Sequence, residues 1–409
     1  LTFIDLFAGT GGLAEGFLRK EFIPIAYIEM LEDACYTLKT RLAYHFLKKK
    51  NRLDIYNDYL RGTIDREALY SQVPKELIGS VLNYELNNKN INEILCRVRL
   101  TLENSKHNEI DVVVGGPPCQ AYSLAARDKH KRKRKHDYRN YLYKLYAKFL
   151  IEFRPKIFVF ENVLGLLSAK KGMFYKNLGK YFRRIGYEIE ENIFDAADFG
   201  VLQRRKRVLL IGWRKDLEVH YPEFDFLPHR WTVNEVLSDL PPLQAGEGAR
   251  VLNYHRETNE YLASFGIRNG LNFVTQHITR PHNNKDLWIY RLAIDYWDRK
   301  KKRLLNSNIP LDRRTQENTA SFLDRFKVVA RNRVSHTLLA HIAKDGHHYI
   351  HPDRSQLRSL SIREAARIQS FPDDYFFEGS RTSVFRQIGN AVPPLMAEEI
   401  AEKIKGLIE

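Results

Sequence analysis

Five short runs, at residues 3–7, 25–29, 111–114, 157–160 and 208–211, are rich in β-branched and aromatic residues and largely nonpolar on both faces. A strand with no solvent face must be covered on both sides, as in a parallel sheet sandwiched between helices. Stretches with helical spacing lie between the runs, for example at 13–20, 141–153 and 174–185. The alternation predicts an α/β domain over the first half of the chain.

From about Trp213 the alternation fades, proline and histidine become frequent, and the apolar runs turn short and irregular until about Leu357. That stretch reads as a second, smaller domain. Ser361 with Glu364 forms a capping box ahead of a helix, and Pro393 and Pro394 open another whose stripe of Leu395, Ile400, Ile404, Leu407 and Ile408 needs a packing partner. The expected organisation is a catalytic unit over 1–215 with a helical insertion at 60–107, a small domain over 216–357, a hinge region over 358–385, and a C-terminal helix within 386–409 that returns to the first unit's sheet.

Lysine and arginine outnumber aspartate and glutamate by 66 to 50 in the 409 residues, and the pI of 9.5 makes a polyanion the first partner to consider. Three cysteines without a C-x-x-C pair exclude a disulfide framework and a cysteine-rich zinc site, and point to a reducing cytoplasm. Apolar stretches stay far below the roughly 20 residues that span a bilayer. The chain opens directly on a strand pattern, so no leader peptide is expected.

The first strand runs into Ala8-Gly-Thr-Gly-Gly12, a turn that lets backbone approach a ligand closely before a helix. At the end of the second strand, Glu29 stands where a carboxylate can bind both hydroxyls of a ribose, which implies a nucleoside cofactor. The third predicted strand ends in Gly115-Gly-Pro-Pro-Cys-Gln120, where two prolines stiffen the approach to Cys119. A thiolate at a strand's carboxyl end in an open α/β sheet is well placed to act as a nucleophile. The next strand ends in Glu161-Asn-Val163 and brings a carboxyl group to the same edge. Gln203-Arg-Arg-Lys-Arg207, ahead of a further strand, can bring guanidinium donors there.

In this order the chain resembles the cytosine-5 DNA methyltransferase family, over Asp5-Leu-Phe-Ala-Gly-Thr-Gly-Gly12, Gly116-Pro-Pro-Cys-Gln120, Glu161-Asn-Val163, Gln203-Arg-Arg-Lys-Arg207, Arg363-Glu-Ala-Ala-Arg367 and Gln387-Ile-Gly-Asn-Ala-Val392. The resemblance implies a Rossmann-like S-adenosyl-L-methionine-dependent methyltransferase sheet with a smaller target-recognition domain in the unmatched middle. It assigns Cys119 as the thiolate that adds to carbon 6 of cytosine and Glu161 as the acid on ring nitrogen 3. Arg205 and Arg207 become the groups that hold the base. Because a stacked base cannot admit the thiol, the cytosine must leave the helix.

For the cofactor, the resemblance carries over to Phe7, Gly9, Thr10, Gly12, Glu29, Met30, Pro118, Leu142, Asn390, Ala391 and Val392, with Asp58 as the candidate for the adenine amino group. Double-stranded DNA is the implied partner. Gln203, Thr337 in Ser335-His-Thr-Leu-Leu339, and Lys131, Arg132, Lys133 and Arg134 of the basic run after Cys119 are its expected contacts. Ten of the fourteen histidines fall between Trp213 and Leu357. Their spacing does not suit a helical zinc pair, so no metal is expected and His347, His348 and His351 read as polar groove contacts. A monomer is expected, in a restriction and modification system whose endonuclease would act separately, or as a solitary enzyme. A tRNA methyltransferase, a catalytically silent DNA-binding relative and, on the glycine turn alone, a nicotinamide oxidoreductase stay open as rival readings.

Overall fold

The computed structural model describes residues 1–118, 141–315 and 323–409. Its centre is a seven-stranded sheet in the order β3-β2-β1-β4-β5-β7-β6. The strands are β1 (Thr2–Leu6), β2 (Ile23–Glu29), β3 (Val81–Asn83), β4 (Val112–Gly115), β5 (Ile157–Asn162), β6 (Tyr187–Asp195) and β7 (Lys206–Arg214). All pairings are parallel up to β5, whereas β7 runs antiparallel to both β5 and β6. The carboxyl ends of the other six strands and the beginning of β7 therefore share one edge.

Both faces of the sheet are covered, as the two-sided apolar runs require. Ile4, Leu6, Val113, Phe158 and Phe160 pack on one side against helices Ile91–Asn104, Leu142–Phe153 and Met173–Arg184. Phe3, Tyr27, Val112, Val159 and Leu209 pack on the other against helices Gly12–Arg19 and Pro394–Ile408. A Cβ added at Gly16 would lie 2.2 Å from the Ala397 carbonyl carbon, so this glycine lets the first and last helices approach closely.

Two sheet strands fall outside the five predicted runs. β3 has only three residues and lies inside the stretch expected to be a helical insertion; the extra helices Leu53–Arg61, Arg66–Ser71 and Lys75–Gly79 precede it. β6 is an edge strand whose Tyr187 and Ile189 are buried and whose Glu190 is exposed, so it alternates instead of reading as a continuous apolar run.

Residues 216–357 hold a two-stranded sheet, Gly248–Asn253 with Phe273–Ile278, and a long helix, Asn284–Lys300. The segment after it is tied to both parts. The capping box forms at Ser361 and Glu364. In the helix it opens, Arg363 donates to Thr275 O and Tyr375 O at 2.9 Å each, and Arg367 ion-pairs with Asp239 and Asp373. Arg381–Asn390 is a separate helix ahead of the last one.

Candidate active site

The turn after β1 is built from both ends of the chain. Gly9 (φ +55°) donates its N–H to Glu29 Oε2 at 2.8 Å, and a Cβ there would meet nothing within 4 Å, so the loop backbone has an open face. Glu29 Oε1 accepts from Leu31 N at 2.8 Å. Each carboxylate oxygen keeps lone-pair capacity for a ribose hydroxyl, so the residues fit a nucleoside cofactor. Burial pushes the Glu29 carboxyl up, and the N–H groups of Leu31, Gly9 and Met30 offset part of that rise. Met30 and Leu31 are exposed beside it as an apolar wall, and Phe7 takes a left-handed backbone (φ 59°) where the turn begins.

Thr10 is buried, its hydroxyl donating to Gln387 Oε1 at 3.0 Å and its carbonyl accepting from the Tyr375 hydroxyl. A Cβ on Gly12 would lie 2.1 Å from Val392 O. The cofactor candidates Asn390, Ala391 and Val392 thus stand against the loop through Gly12. Leu142 is buried at the start of its helix and Pro118 is half-buried.

Asp58 does not join this group in register. It lies on the exposed side of helix Leu53–Arg61, before β3. The strand bordering β2 ends at Asn83, whose side-chain amide donates to Glu29 O at 3.1 Å and Met30 O at 3.0 Å. Asn83 is the residue sequence reasoning missed; its signal was the short Val81-Leu82 pair just before it.

At the other half of the edge, Glu161 Oε1 lies 2.7 Å from Arg207 Nε. Gly116 comes so close that a Cβ on it would be 2.8 Å from Glu161 Oε2. Asn162 donates from Nδ2 to Pro117 O at 3.1 Å and ties the end of β5 to the segment leading to Cys119. Cys119 itself, Lys131, Arg132, Lys133 and Arg134 lie outside the described residues. Of the other cysteines, Cys35 donates its thiol to Glu29 O at 3.4 Å, and burial, then the Glu29 charge, push its pKa up to about 12. It is held as an inert thiol; Cys96 is exposed on a different helix.

The remaining expected contacts form a junction. Ser335 accepts from Arg204 N and donates its own N–H to Leu202 O, both at 2.8 Å, and Thr337 Oγ1 donates to Arg204 O at 2.6 Å. Gln203, expected as a DNA contact, is fully buried, its amide bonded to Leu338 N and to Gln369. Arg205 is also buried: it donates to Leu338 O at 2.7 Å and Gly389 O at 3.3 Å. Its guanidinium, expected to hold the base, braces this junction here, because residues 335–338 cover the loop before β7. His347 and His351 are buried too, bonded to the Tyr290 hydroxyl and the Asp353 N–H, so they are core groups and not groove contacts.

A sheet in this order, with a glycine turn after β1 and a carboxylate closing β2, has the Rossmann-like fold of S-adenosylmethionine-dependent methyltransferases. A prophage-encoded E. coli protein described as a DNA modification methyltransferase shares it, with a TM-score of 0.63 at 21% identity over 100% of this chain and 99% of that one. The chain belongs to the C-5 cytosine-specific DNA methylase family, whose model matches residues 81–406. It is 40% identical to the Type II methyltransferase M.Bpa9945I of Bacillus paralicheniformis, over 99% of this chain and 98% of the relative. Identity to M.DdeI of Desulfomicrobium norvegicum is 30%, over 100% of this chain and 89% of that one. No helix among the described residues is long and apolar enough to cross a membrane.

Proposed function

We propose that this chain methylates carbon 5 of a cytosine flipped out of duplex DNA, with Cys119 as covalent nucleophile. The observation that carries the reading is the Glu161–Arg207 pair at the edge of the sheet, beside Gly116 and the segment leading to Cys119. The Cys119 sulfur forms a bond to carbon 6, and the ring's carbon 5–carbon 6 electrons become available at carbon 5. Protonated with the base in place, Glu161 donates a hydrogen bond to nitrogen 3 and Arg207 polarises the carbonyl oxygen, offsetting charge that develops on the ring. S-adenosyl-L-methionine supplies an electrophilic methyl group when bound, and Glu29, the glycine turn, Asn83, Met30 and Asn390 to Val392 are the residues that would hold it. Loss of the carbon 5 proton to a base then expels the sulfur and restores the aromatic ring.

Residues 216–357 are the target-recognition part in this reading, with Thr337 on the phosphate backbone. The relatives' description as Type II methyltransferases supports a place in a restriction and modification system, with a separate endonuclease and a cytoplasmic setting. Methyl transfer from labelled S-adenosylmethionine to duplex DNA and to tRNA, side by side, tests the substrate. Label in DNA alone is expected; label in tRNA alone would overturn the reading. Bisulfite sequencing of the methylated DNA then maps the target.

A further inference from the structure

Five consecutive basic residues, Arg299, Lys300, Lys301, Lys302 and Arg303, run from the last turn of the long helix of the small domain past its Lys301 cap, and all five are exposed. Across residues 291–333 the described residues hold twelve lysines and arginines against four aspartates, so the surface is strongly positive. Arg299, Lys300, Lys301 and Lys302 have no ion pair among the described residues, whereas Arg303 is bridged to Asp324 at 2.8 Å. Aromatic rings are interleaved with the cations: Lys300 over Tyr296 at 4.5 Å, Arg333 over Trp297 at 5.5 Å and Arg313 over Trp288 at 5.5 Å.

The run also has a defined place relative to Thr337. Leu304 bridges to Phe326, Val328 bridges to Ile350, and the neighbouring Tyr349 bonds through its hydroxyl to Thr337 O at 3.0 Å. Adjacent extended segments lie about 4.8 Å apart, and two such steps plus the Tyr349 side chain and its hydrogen bond put the end of the run on the order of 10 to 20 Å from the Thr337 segment. Burial and then the cations Arg303 and Lys327 hold His336, next to Thr337, down at about 4, as expected if those charges are close by.

We propose that residues 299–303 are a second, sequence-independent DNA contact that grips phosphates of the duplex outside the target sequence. The inference rests on the reading that duplex DNA is the substrate. With one phosphate per strand for every ~3.4 Å of axis, the run would meet the backbone roughly three to six base pairs beyond the Thr337 contact.

The test combines Lys300→Ala, Lys301→Ala and Lys302→Ala in the full chain and measures binding by fluorescence anisotropy across a salt series. Two duplexes carry the mapped target, one with flanks of about two base pairs and one with flanks of about twelve, chosen to end before or extend past the contact. On the long duplex the slope of log K against log salt should flatten by about 2 to 3, and affinity should fall; on the short duplex parent and variant should coincide. An unchanged slope on the long duplex, or equal losses on both, would overturn the proposal. Binding is read without turnover, so a parent that binds yet methylates neither duplex would sink the functional reading while the slopes still decide this contact.

Discussion

Arg207 Nε and Glu161 Oε1 lie 2.7 Å apart across the antiparallel pairing of β7 with β5, at the register where Val208 faces Asn162. The ion pair places a carboxyl group and a planar donor together at the end of the segment that leads to Cys119. Arg207→Lys keeps the charge but loses the fork geometry. The expected result is a fall in kcat of roughly 100-fold or more with KM for S-adenosylmethionine unchanged. Steady-state kinetics at saturating DNA checks it, and a lysine variant with parental kcat would contradict the role.

The contact between Gly12 and Val392 O leaves no room for a methyl group. Gly12→Ala must push the Ala391 and Val392 backbone away from the turn, so it should weaken S-adenosylmethionine binding by at least tenfold while the far-UV circular dichroism stays parental. Calorimetric titration of the cofactor gives the answer, and unchanged affinity would show that the C-terminal segment is not part of that site.

The parts of this design that were legible in sequence are those where a local rule and the tertiary role coincide. Runs such as 157–160 are apolar on both faces because they are central strands, and Ser361 with Glu364 announced a helix start that depends only on its own residues. β6 was hidden by its solvent-facing acids, and β3 by being three residues long. The partners of Arg205 and Gln203 were hidden for a different reason. Nothing local distinguishes a guanidinium aimed at a base from one aimed at Leu338 O, since that carbonyl arrives from a segment 133 residues away.

Tyr349 ties the recognition segment to this junction. Its hydroxyl accepts from Leu339 N at 2.9 Å and donates to Thr337 O at 3.0 Å, on either side of the Leu338 peptide that Gln203 and Arg205 hold. Tyr349→Phe removes both bonds and keeps the ring stacked on His336. At about 1 kcal/mol for the combined net effect, kcat/KM for DNA should fall roughly five- to tenfold, with cofactor affinity unchanged. A variant with parental kcat/KM for DNA would show that the brace does not position the segment.

Acid should destabilise the fold before carboxylates titrate. His277 is buried, with Nδ1 2.8 Å from Ser361 Oγ and Nε2 2.9 Å from Pro241 O, and burial lowers its pKa to about 4. Ser361 Oγ already accepts from Glu364 N, so its hydroxyl proton is directed at Nδ1 and the ring is neutral. The folded pKa lies below the unfolded value of about 6.5, so the unfolded chain binds the proton first. The His277 contribution is complete above pH ~6.5 and decreases by about 2 kcal/mol between pH ~6.5 and ~5. Urea midpoints should drop over that interval, and less so in His277→Gln; a parental midpoint flat from pH 7 to 5 would refute this.

The central claim is that Cys119 attacks an unstacked cytosine, and a duplex with 5-fluorocytosine at the mapped target tests it most directly. Fluorine cannot leave as the proton does, so the sulfur–carbon bond is trapped after methyl transfer. With S-adenosylmethionine present, the parent should give a protein–DNA adduct stable to denaturing electrophoresis, and Cys119→Ser should bind that duplex without forming one. An adduct that persists in Cys119→Ser, or a parent that methylates ordinary DNA yet never traps the fluorinated duplex, would contradict the account.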